Sequence, residues 1–209
     1  MLCSNRAEGF SNQSSLSSPI PTSCFVDVIL VPLPIWIALV ALVALLLIPK
    51  HLIARSRAAE SLKTKPALWL YRVVSGIYYA LIICNMLMHT LEIVRLALIH
   101  FGIGLLPFAY VGLLLGAALH SSRGAAGQVP AWLLVNMVVW LGGMVMSVVK
   151  AIGLDREGIL RKGSKYPMSD QVLDVAVIAG VYGVIAALEL VTGVWRRHNQ
   201  TITAYKSEQ

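Results

Sequence analysis

Apolar residues run through this chain in five blocks, at 26–48, 67–91, 102–119, 131–152 and 172–195, and the charged and small polar residues collect between them. A helix rises about 1.5 Å per residue, so about 20 apolar residues cross a hydrocarbon layer about 30 Å thick. Each block comes close to that length. The pattern predicts an all-α fold, an integral membrane bundle of five transmembrane helices. Pro49-Lys50 closes the first block, Lys150 stands near enough to the end of the fourth to snorkel, and Arg196-Arg197 stops the fifth. Pro32, Pro34 and Pro107 predict kinks in the first and third helices. Between the second and third, 90–101 offers only Glu92, Arg95 and His100 as markers, which predicts a short turn at headgroup depth.

Outside the blocks, 1–23 is rich in Ser and Asn and reads as a flexible tail. It lacks the apolar core of about 7 to 15 residues that a cleavable signal peptide needs. Orientation follows from Lys and Arg, which cytoplasmic loops retain. Lys50, Arg55, Arg57, Lys63, Lys65 and Arg72 gather after the first block, whereas the first tail offers only Arg6. The amino terminus is therefore expected outside or in a lumen, with a cytoplasmic carboxy-terminal tail at 198–209. Arg156, Arg161, Lys162 and Lys165 would then stand on the outer side, against the rule. The sequon at Asn12 falls in the outer tail and is the candidate N-glycosylation site, while that at Asn199 falls inside.

Composition narrows the class further. Hydrophobic residues make up 57% of 209 positions and charged residues 13%, against about 25% charged in soluble domains. The net charge of +7 reflects the expected cytoplasmic rim and favours anionic lipid headgroups; it does not argue for nucleic acid. Cys3 and Cys24 share the outer tail and form a candidate disulfide, while Cys84 is expected to be a small buried hydrophobe. No C-x-x-C or other metal-ligand spacing occurs, and no cofactor or metal is expected. The plasma membrane, a vacuole and other endomembranes fit equally well.

Ionisable groups at membrane depth are costly and mark candidate sites. Arg72, Asn136 and Glu189 are expected at similar depth on helices two, four and five, as one polar layer that glues the helices together or passes ions. Toward the opposite face, His89, Glu92 and Arg95 follow each other at helical spacing, with Glu92 expected to pair with Arg95. Gly112 and Gly116 form a GxxxG run, and Ala179, Gly183 and Ala187, with Ala176 and Gly180, form a small-residue face for close helix packing. No phosphate-cradling G-x-x-x-x-G-K-[ST] loop, G-x-S-x-G or H-E-x-x-H motif is present.

The order of features resembles a known domain. Cys24-Phe25-Val26-Asp27 before the first block is similar to the Cys-Phe-x-Asp start of the N-terminal five-helix domain, TMD0, of fungal multidrug-resistance-associated (subfamily C) ABC transporters. Ala118-Leu119-His120 with Arg123 resembles that family's cytoplasmic turn, which leads to a Trp-rich fourth helix, here carrying Trp132 and Trp140. Ala187-Leu188-Glu189-Leu190 before Arg196-Arg197 resembles its acidic fifth helix with a basic exit. The resemblance covers roughly 24–197. It implies a stand-alone or truncated accessory domain that serves partner binding, assembly or targeting and is not itself the pump.

Three functions are therefore expected in order. The first is an interaction module whose partners are membrane lipids and another membrane protein, a transporter core or a second copy. The second is a small membrane enzyme acting on a hydrophobic metabolite, with Glu189 or Glu92 as acid or base. The third is a small channel or carrier using the Arg72, Asn136 and Glu189 layer.

Overall fold

A computed structural model of the chain describes residues 32–47, 67–98, 106–122, 130–157 and 167–207. Every regular element among them is a helix: α1 (Leu33–Leu47), α2 (Ala67–Leu98), α3 (Phe108–Ser122), α4 (Pro130–Glu157) and α5 (Met168–Ser207). Within α2, α4 and α5, Trp69–Arg95, Leu133–Asp155 and Ser169–Trp195 are long and apolar enough to cross a membrane; α1 and α3 are apolar but shorter.

Proline explains where the short helices begin. Pro32 accepts the amide hydrogens of Ile35 and Trp36, and Pro34 stands in the first turn of α1, where a missing N–H costs nothing. Likewise Leu106 and Pro107 accept from Ala109 and Tyr110 and open α3. Pro34 and Pro107 thus start helices instead of kinking them. At the other boundaries the helices outrun the apolar blocks. α2 continues through Glu92 and Arg95 to Leu98, and α5 continues through Arg196-Arg197 to Ser207. The expected turn over 90–101 therefore begins only after Leu98.

Contacts fix the relative directions of four helices. Tyr78 meets Trp140 and Glu92 meets Lys150, so α2 and α4 run the same way. Thr90 bonds Tyr110 while Tyr78 stacks on His120, so α3 runs against α2. Arg95 meets Asp174 and His89 meets Tyr182, so α5 also runs against α2. α4 and α5 share the most extensive interface, and α1 packs on α3 and α4.

Glycine permits the closest approaches. A Cβ on Gly116 would lie 2.0 Å from the Trp140 ring, one on Gly112 2.7 Å from Ile35, and one on Gly142 2.3 Å from Pro34. The GxxxG run of α3 is thus an internal packing face, receiving α4 at Gly116 and α1 at Gly112. On α5, Ala179 is buried and Gly183 faces Met144. Ala187, with Ala176 and Gly180, is exposed and lies off that face, because 187 stands two residues, about 200° of rotation, from each of the inward positions 185 and 189. Cys84 is exposed too, one residue out of phase with buried Asn85.

Inward positions recur at alternating steps of three and four residues. They are Tyr78, Ile82, Asn85, His89 and Glu92 on α2; Asn136, Trp140, Gly143, Ser147, Lys150 and Leu154 on α4; and Gln171, Val175, Ile178, Tyr182, Ile185, Glu189 and Thr192 on α5. This is the spacing by which long helices keep one seam facing a neighbour. Trp140, Tyr78, Tyr182 and Leu113 fill the centre of the core, while Trp69, Leu87, Leu134 and Leu173 point outward and are exposed.

A buried polar column as the candidate functional site

The same inward stripes carry most of the buried polar groups. In a medium without water, a polar side chain is stable only when another part of the protein satisfies it. Three layers result, each built by side chains from different helices.

In the first layer, His120 at the end of α3 bonds Glu189 of α5, with Nδ1 3.1 Å from Oε2. Both side chains are almost fully buried. A carboxylate only accepts, so this bond puts the ring hydrogen on Nδ1 and turns Nε2 away from the acid. Tyr78 stacks on the imidazole with centroids 4.1 Å apart, and Tyr79 meets it edge-on at 5.8 Å. Beside them Asn136 donates from Nδ2 to the Gly116 carbonyl at 3.2 Å, tying α4 to α3. Thr192, one turn along from Glu189, donates within its own helix to Leu188 and Glu189.

The middle layer is aromatic with polar edges. Trp140 meets Tyr78 edge-on and lies 6.2 Å from Tyr182, whose ring also covers Gly143. The Tyr182 hydroxyl shares a 3.1 Å hydrogen bond with His89 Nε2. Asn85 stands one turn before His89 on the same stripe and is fully buried.

Charge dominates the third layer. Lys150 Nζ lies 3.0 Å from Glu92 Oε1, joining α4 to α2, and both side chains are buried. Arg95 forms an ion pair with Asp174, joining α2 to α5 at the partly buried rim.

Several expected roles change in this light. Asn136 and Glu189 are at one level, as the sequence predicts, but Arg72 is exposed on α2 and His120 is the ring that meets Glu189. Arg72 falls one residue, about 100°, out of phase with the inward stripe. Glu92 meets Lys150 of α4 and Arg95 meets Asp174 of α5, so each of them reaches a charged residue of another helix. Lys150 does not snorkel to a surface but ends inside, against Glu92. Asp174, Tyr182, Asn85 and Lys150 were the members that depth alone did not reveal. Three-and-four spacing along the inward stripes is the signal that carries Asn85, Lys150 and Tyr182, while Asp174 stands one residue off the stripe at the rim.

Among the described residues no three His, Cys, Asp or Glu side chains gather as a metal site. Asn12, Cys3 and Cys24, the Cys-Phe-x-Asp motif and the basic stretch 50–65 lie outside the described residues. Compared with known proteins, the chain matches no family model, no curated protein and no solved structure.

Proposed function

We propose that this chain is a five-span membrane module, amino terminus outside or lumenal and carboxy terminus cytoplasmic, which binds another membrane protein and serves its assembly or targeting, as the TMD0 domain it resembles does. The observation that carries this reading is the division between inside and outside. The ion pairs Glu92–Lys150 and Arg95–Asp174 and the His120–Glu189 bond all join helices of this one chain. Outward, the long helices present apolar side chains, among them Trp69, Leu134, Leu173 and Val194, with little chemistry of their own. The alternating directions of α2 to α5 support the five-span arrangement.

A photo-cross-linking side chain placed at the exposed positions Leu173, Val177 or Val184 of the full chain, in its own membrane, tests the partner. One dominant cross-link to a transporter core is the expected result. A cross-link only to a second copy would make the module a homo-oligomer, and cross-links to lipid alone would remove the reading. For orientation, a glycosidase-sensitive mass shift that disappears in Asn12→Gln is expected; a shift abolished only by Asn199→Gln would reverse it.

A further inference from the structure

We propose that the buried column is a proton relay linking the His120–Glu189 pair to His89. It goes beyond partner binding and stands or falls separately from it.

A relay needs groups that both take up and release a proton, in a sequence that bulk water does not short-circuit. Imidazole meets this need best, since its two nitrogens face opposite ways. Two imidazoles stand in this column. His120 engages Glu189 through Nδ1, and its opposite nitrogen, Nε2, is buried without a hydrogen-bond partner among the described residues. His89 bonds the Tyr182 hydroxyl. Along α2, Asn85 stands between Tyr78, which stacks on His120, and His89; both of its amide atoms and Trp140 Nε1 are equally buried and without partners among the described residues. Tyr78 connects the region physically, stacked on His120 and edge-on to Trp140, which in turn lies beside Tyr182. From Glu189 to Asp174 the column spans fifteen residue steps of α5, about 22 Å of the roughly 30 Å that a membrane core requires.

Helix gluing does not account for Asn85. An amide buried with neither atom bonded costs about 1–3 kcal/mol per group, and a leucine of similar size would pack there without it. Together with His120 Nε2 and Trp140 Nε1 it makes a set of buried polar groups of the kind that a bridging water satisfies. The step is balanced. A proton arriving at His120 Nε2 makes the ring doubly protonated, and the Nδ1 hydrogen then passes to Glu189 Oε2. That leaves a neutral ring and a neutral acid, with no change of oxidation state. Larger solutes have no place in it, because Asn85, His89, His120, Trp140 and Glu189 are each at most 5% exposed. Beyond His89, Glu92 with Lys150 and Arg95 with Asp174 are the charged groups that face the far end.

The full chain reconstituted in liposomes with an internal pH dye, under a potassium gradient with valinomycin, reads the relay directly. Proton flux at least tenfold above protein-free vesicles is expected, falling at least tenfold in His120→Gln and in His89→Gln. Asn85→Leu supplies the second variant: it is expected to lose the flux while melting no lower than the parent. Flux equal to protein-free vesicles for the folded parent, or flux unchanged in folded Asn85→Leu and His89→Gln, would overturn the proposal.

Discussion

Where α2 ends, four formal charges meet in two pairs, Glu92 with Lys150 and Arg95 with Asp174; near the end of α3, Glu189 meets an imidazole that lies between Tyr78 and Tyr79. The charged layer ties α2 to α4 and α5, the aromatic layer ties α3 to α2 and α5, and the two do so by different physics. In the charged layer each partner compensates a cost that the other creates, so neither is tolerable alone. In the aromatic layer the ring faces carry much of the contact, and the hydrogen bond orients a ring that is already wedged. The pair at the charged layer therefore fixes helix register through charge, while the other fixes it through shape and leaves a ring nitrogen with no hydrogen-bond partner among the described residues.

The sharpest way to break this comparison is Lys150→Met. It leaves Glu92 buried opposite an apolar chain, and a loss of about 3–5 kcal/mol is expected in reversible detergent unfolding. The double change Lys150→Met with Glu92→Leu is expected to regain most of that loss, which an interaction of additive parts would not do. Next comes Gly116→Ala, which drives a methyl group into the Trp140 ring; about 1–3 kcal/mol of overpacking is expected, read in the same unfolding assay. Glu189→Gln keeps the shape of the aromatic layer and removes only charge, so about 1 kcal/mol is expected. A loss equal to that of Lys150→Met would make the two layers the same kind of device. Smallest is Gly180→Ala on the exposed face of α5. A Cβ there meets nothing within 4 Å, and a gain of up to about 1 kcal/mol from helix propensity is expected in thermal melting.

Much of this architecture was legible in residue order. Apolar length located all five helices, and the polar residues at depth, His89, Glu92, Asn136 and Glu189, are all buried. Their partners were less legible, because depth says how far along an axis a residue lies and nothing of its direction around it. Arg72 is exposed, out of phase with the inward stripe and six residues short of the Tyr78 that reaches the His120–Glu189 layer, whereas His120 looked like a loop residue and is helical and buried. Lys150 read as a boundary marker since charge beside an apolar run usually meets water; here it meets Glu92. Phase along the three-and-four stripe separates these cases: Asn85, Lys150 and Tyr182 are on it, and Cys84, Arg72 and Ala187 are off it. The prolines illustrate the same limit, since a ring that bends a helix interior also opens a helix, and only the preceding backbone decides which.

The Glu92–Lys150 pair also constrains how this chain can change over generations. Either residue replaced first leaves a buried charge without its partner at 3.0 Å, so the two are expected to change within a short interval of each other. Outward positions such as Leu134 or Leu173 carry no such linkage and can drift one at a time among apolar residues. In descendants of this chain, positions 92 and 150 are expected to be inherited as a unit, while the membrane-facing residues around them turn over independently.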